Sequence, residues 1–192
     1  VCNMGMTIHY TLKSAAQNGG EAREIIENLH EAAQTMPFEG VSDVVEMSGE
    51  ECGSGVDDAY KLMRFQASIT DDWDFEQPQR IIGFRAKVGG GCEDMNIGLA
   101  RHSESDIWMF NGWCKTQDAL DSSRGGLQNF LRCNEVVIGL LDKADQLGVV
   151  EFVRDDGGYR EHRKSDSLAQ SVSKMNELIV RAGNEIGAGR NA

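Results

Sequence analysis

Hydrophobic and polar positions alternate in four successive runs between residues 61 and 117. Met63, Phe65, Ala67 and Ile69 alternate with Arg64, Gln66, Ser68 and Thr70; Ile82, Phe84, Ala86 and Val88 alternate with Gly83, Arg85 and Lys87. Met95, Ile97 and Leu99 mark a third run, and residues 107–116 a fourth. A period of two sends successive side chains to opposite faces of a pleated strand, so the region predicts four antiparallel strands with one face turned to a core. The connections at 71–79, 89–94 and 102–106 are rich in Gly, Asp, Ser or Pro and short enough for hairpins.

The flanking segments carry other periods. Ile8, Tyr10 and Leu12 predict a first strand over 6–12. Ala22, Ile25, Ile26, Leu29, Ala33 and Met36 then recur at helical spacing, with Pro37 as the stop and Glu21, Glu24 and Glu27 in the early turns, where the helix dipole favours negative charge. A short strand is expected within 41–47, followed by an acidic loop near 48–58. Ser122 or Ser123 suits the cap of a second helix, whose stripe is Leu127, Phe130, Leu131, Val137, Ile138, Leu141 and Ala144 and whose end is Gly148. Asn134 interrupts that stripe and predicts a buried hydrogen bond. A strand over 149–153 and a turn at 155–158 follow. Ser165 or Asp166 opens a third helix with Leu168, Val172, Met175, Ile179, Ala182 and Ile186, and the tail from about residue 187 is expected to fray. The economical assembly is a single α+β domain over 1–192: an antiparallel sheet of about five to seven strands with three amphipathic helices packed on one face.

Charge narrows the choice of partners. The 192 residues carry 19 Lys plus Arg against 31 Asp plus Glu, a net charge of −12. That balance repels nucleic-acid phosphates and anionic lipid, so neither is expected as a partner. The excess is concentrated in residues 1–60, with 2 basic against 11 acidic residues. The plainer reading is a solvated acidic face; the sharper one is a docking surface for a basic protein. No apolar run reaches a membrane span and no charged start precedes an apolar block, so a soluble cytoplasmic protein is expected.

The motifs for common chemistries are missing. Cys2, Cys52, Cys92, Cys114 and Cys133 form no pair at two- or four-residue spacing, which leaves zinc ribbons and thioredoxin-like motifs without their signature. In the acidic run at Asp72, Asp74 and Glu76, Gln77 stands where a calcium loop needs Gly, and Gly83 stands where it needs Glu. Gly89-Gly90-Gly91 is not followed by Lys-Ser/Thr, so it is no nucleotide loop. No metal or cofactor is called for.

Two constellations remain. The alternation puts Arg64, Arg85 and Lys87 on the outward sheet face beside Gly83, Gly98 and Ala100, a flat cationic surface able to hold a carboxylate or phosphate; an ordinary solvated face is the plainer account. The fourth run carries apolar residues on both faces, with Trp108, Phe110 and Cys114 on one and Ile107, Met109 and Trp113 on the other. One set must be covered by the loops at 48–58 or 71–79, line a pocket, or bury in a homodimer. Trp108 and Trp113 are therefore expected to flank the functional surface. The best-supported class is a binding or protein-interaction domain whose partner is a second copy, a basic protein or a small anionic ligand. The competing class is a small-molecule enzyme with its site at the end of the fourth strand and the start of the second helix, using Cys114, Lys115, Asp118 or His102, with the thiol pKa lowered by a nearby cation.

Overall fold

A computed structural model describes residues 6–70, 73–103 and 105–163. Seven strands form one antiparallel sheet: β1 (Thr7–Ser14), β2 (Gly40–Val41), β3 (Val45–Ser48), β4 (Arg80–Lys87), β5 (Met95–Arg101), β6 (Trp108–Lys115) and β7 (Val150–Asp155). Their order is β2-β4-β5-β6-β1-β7, with β3 pairing β4 beside β2. The fold is α+β as the periodicities predict, and the three strands after residue 80 lie where the alternation puts them. The single short strand expected at 41–47 is two pieces interrupted at residues 42–44.

Two helices pack together on one face of the sheet: α1 (Gly19–Gln34) and α3 (Gly126–Gln146). Asn18 caps α1 by accepting from the amides of Gly20 and Glu21, supplying acceptors for donors that the helix leaves unpaired. Ile26, Leu29 and Ala33 bury its apolar stripe, and His30 meets the Phe84 ring edge-on at 5.1 Å. Gly125 and Gly126, both at positive φ, turn the chain into α3. Asn134 makes the expected buried bond, donating to the Phe130 carbonyl at 2.8 Å. The third helix expected after residue 165 and the tail from 187 lie outside the described residues. No described helix is long and apolar enough to cross a membrane. Residues 159–162, after the predicted turn, form one helical turn, α4 (Tyr159–His162).

The first of the four central runs is not a strand. Lys61–Ala67 forms a helix, α2, and it covers the sheet face opposite α1 and α3. Met63, Gln66 and Ala67, at helical spacing, are buried against the sheet, while Lys61 and Phe65 face outward. Residues 61–68 contain no β-branched side chain and are mostly strong helix formers. Met63, Phe65 and Ala67 satisfy a period of two by coincidence, and tertiary burial selects the helical period. Gly83 and Gly98 are paired across β4 and β5. A Cβ on Gly83 would lie 2.5 Å from the Ile97 carbonyl oxygen and 3.1 Å from Met63 Sδ. Met63 of α2 thus seats against Gly83, where no side chain stands, while the Phe110 ring lies beside Gly98.

A buried polar path runs through the sheet at Asn96. On the α1/α3 side, Tyr10 Oη donates to the Asn96 carbonyl at 2.5 Å. On the α2 side, Asn96 Nδ2 donates to Gln66 Oε1 at 2.8 Å, and Gln66 Nε2 donates to the Trp113 carbonyl at 3.1 Å. Each bond satisfies a group that burial would otherwise leave unpaired.

Candidate functional site

The cations predicted to line an open anion site are each committed to a carboxylate. Arg64 lies on α2, 4% exposed, and holds Asp58 in a two-pronged contact at 2.5 and 2.8 Å while its Nε donates to the Glu51 carbonyl at 2.6 Å. The Arg64 guanidinium, helped by the Tyr60 amide, holds the Asp58 carboxyl down at about 2. This arrangement ties the acidic 48–58 segment to α2. Arg85 lies 5.3 Å from the Tyr60 ring centre and pairs with Asp94 at 3.4 Å. Lys87 pairs with Glu39 at 3.1 Å. The expected flat cationic surface is therefore replaced by neutralised pairs and a helix.

The groups nominated for catalysis do not converge. Cys114 is fully buried on the α1/α3 face; its thiol donates to the Glu93 carbonyl at 3.3 Å, and burial pushes its pKa upward, away from the reactive thiolate. Lys115 points to the other face and pairs with Glu93 at 3.5 Å. Asp118 is exposed in a 3-10 turn, and His102 is buried at the far end of the neighbouring strand. The lowered thiol pKa expected for Cys114 is thus reversed by desolvation.

The two tryptophans separate. Trp108 is buried, 3% exposed, on the α1/α3 side, whereas Trp113 is half-buried on the α2 side. Trp113 belongs to an aromatic group missed by the strand assignment: the Phe65 ring stands edge-on to it at 6.0 Å and tilts against Phe75 at 5.4 Å. Phe65 is 40% exposed, Phe75 66% and Trp73 73%. Three large aromatic side chains so open to water within eleven residues are unusual for a surface that serves only the fold.

Ile69 and Phe75 form an isolated antiparallel bridge, and the Thr70 amide donates to the Asp74 carbonyl at 2.9 Å. At the tip Trp73 has φ 62°, the sole positive φ among described residues other than glycine. Such a backbone costs on the order of 1–3 kcal/mol and persists where the surroundings enforce it. Beneath Phe65 and Phe75 an open depression of about 260 Å³ is lined also by Cys52, Ser54, Ser68, Glu76 and Gln77. Glu76 lines it, and Glu50 and Glu51 before Cys52 and Asp74 before Phe75 are close in sequence to its walls. Of the nearby cations, Arg64 is buried by its Asp58 pair and Lys61 pairs with Asp57 at 2.9 Å. The sequence signal for this site is the Trp-Asp-Phe-Glu run at 73–76, where two aromatics sit between acids in a loop.

Comparison with protein-family models, with curated proteins and with solved structures returned no match.

Proposed function

We propose that the chain is a protein-interaction domain that receives a basic segment of a partner protein on the aromatic surface formed by Phe65, Trp73, Phe75 and Trp113. The observation that carries this reading is the exposure of Phe65, Trp73 and Phe75 together with Glu76, which lines the depression beneath the two phenylalanines, and the neighbouring Asp74. Aromatic faces attract Lys and Arg side chains, and flanking carboxylates strengthen that attraction while steering a basic partner inward. Charge also weighs against a second copy as the occupant, because two chains of net charge −12 repel each other.

The strained tryptophan separates binding from folding. Trp73→Gly removes an exposed ring and relieves the positive φ. Its thermal midpoint should equal or exceed that of the unaltered protein, while affinity for a short arginine- and leucine-containing peptide falls about tenfold, the scale of an interface hot spot. Isothermal titration against this peptide and its glutamate-for-arginine counterpart reads both terms: binding to the first should weaken with salt, and the second should not bind. Equal binding by Trp73→Gly, or equal binding of the two peptides, rules the proposal out. Sedimentation as a dimer that Phe75→Ser dissociates would give the surface to a second copy instead.

A further inference from the structure

The depression beneath Phe65 and Phe75 is rich in hydrogen-bond acceptors, and among the described residues no cation lines it. Glu76 Oε1 accepts from the Ser103 amide at 3.2 Å and from the Ser103 hydroxyl at 2.8 Å, while Oε2 has no partner among the described residues. Those bonds, the hydroxyl's first, fix the carboxylate and hold it below the usual carboxylate range, so it is charged at neutral pH. Ser68 donates its hydroxyl proton to the Phe65 carbonyl at 2.7 Å, which leaves its oxygen as an acceptor only. Gln77 Nε2 donates to the Gly49 carbonyl at 3.1 Å, and its Oε1 stands beside the 52–54 wall, 3.5 Å from where a Gly53 Cβ would lie. Three polar groups lining the depression therefore hold oxygens with acceptor capacity left over.

The walls are set before any ligand arrives. The Glu76 amide donates to the Ser68 carbonyl at 2.9 Å, next to the Ile69–Phe75 bridge, and the Phe65 ring stands between Trp113 and Phe75. Such prior ordering lowers the entropic cost of binding. At about 260 Å³ the depression is smaller than the roughly 300–1,000 Å³ of pockets that enclose whole small ligands, so it suits one side chain of a larger partner.

The acceptors discriminate among cations. A quaternary ammonium has no N–H and would cover these oxygens without bonding to them. A lysine ammonium is compact and strongly hydrated, and an open depression returns little of that hydration. A guanidinium is planar and weakly hydrated, with all its N–H donors in the plane; one face can lie on a phenyl ring while the edge donates to several oxygens at once.

We infer that the depression reads one arginine of the partner segment, its guanidinium lying against Phe65 and Phe75 and its N–H edge donating to Glu76 Oε2 and Ser68 Oγ. This inference rests on the basic-partner reading of the surface and adds to it a choice between the two basic side chains.

Isothermal titration of the full chain against three peptides, identical apart from one position holding arginine, lysine or citrulline, tests the choice. Citrulline keeps the planar shape without the charge. Arginine should bind about tenfold more tightly than lysine, and citrulline should lose at least as much. Glu76→Gln keeps the side-chain shape and an oxygen for Ser103 but removes the charge; it should bring arginine down to the level of lysine with little change in thermal midpoint. Equal binding of the arginine and lysine peptides, both weakened by Trp73→Gly, overturns the arginine pocket and leaves the aromatic surface standing. Binding of neither peptide overturns both. Citrulline matching arginine, or an arginine preference that survives Glu76→Gln, also overturns the inference. The three peptides on the unaltered chain keep the test decisive even where the variant is unstable.

Discussion

Gly112→Ala is expected to destabilise the protein by about 3 kcal/mol, as overpacking against a rigid buried ring does. A Cβ at Gly112 would lie 2.2 Å from Tyr10 Cε2 and 2.4 Å from Cζ. Tyr10 is 1% exposed and cannot swing into solvent. Moving its ring also pulls the hydroxyl from the Asn96 carbonyl, the first link of the buried path to Gln66 and Trp113. The urea midpoint should fall with little change in slope, and the thermal midpoint should drop by about 10 °C for a chain of this size. Tyr10→Leu in the same chain should recover part of the loss, because the two changes share one volume and do not add. A Gly112→Ala protein within about 0.5 kcal/mol of the unaltered one, the range of a neutral surface change, would show that the ring is not held against the strand.

Arg64→Ala is the second large effect, about 2–3 kcal/mol, below the full cost of breaking a buried pair because Asp58 keeps partial contact with water. The substitution removes three hydrogen bonds at once: two to Asp58 and one to the Glu51 carbonyl. The 48–58 segment then loses its tether to α2. Arg64→Lys should rescue little, since an ammonium cannot span both carboxylate oxygens and the carbonyl together. The pair also sets an acid response. The Asp58 carboxyl titrates at about 2 when folded and near 3.9 when unfolded. The unfolded chain therefore binds the proton more readily, so the contribution is complete above pH of about 4 and is lost as pH falls toward 2. Urea titrations across that window should give a steeper loss for the unaltered protein than for Asp58→Asn. Parallel curves would remove the ion pair from the account.

How far the sequence was legible follows from what each segment buries. β4 and β5 alternate under two constraints, a helix layer on one side and α2 on the other, and Ile82, Phe84, Ile97 and Leu99 still announce the inner face. The heavily buried α3 declared itself through its stripe, and Asn134 through its place within it. Residues 61–69 were ambiguous because a seven-residue helix is too short for its period to separate from alternation. Helix-forming composition, without a β-branched residue until Ile69, was the discriminating signal. That one element decides the site. With α2 in place, Arg64 becomes a structural tether, Gly83 a seat for Met63, and Phe65 an outward aromatic next to Trp113 and Phe75.

The basic-partner reading rests on one surface, and two-dimensional NMR of the ¹⁵N-labelled protein during titration with the arginine- and leucine-containing peptide locates the contact. The indole signals of Trp73 and Trp113 and the backbone amides of α2 and the 73–76 loop should shift together, saturate with one affinity, and leave buried Trp108 unchanged. Shifts spread along the exposed acidic face of α1, with both outer indoles unmoved, would mean that net charge alone attracts the peptide and that the aromatic surface is not the binding site.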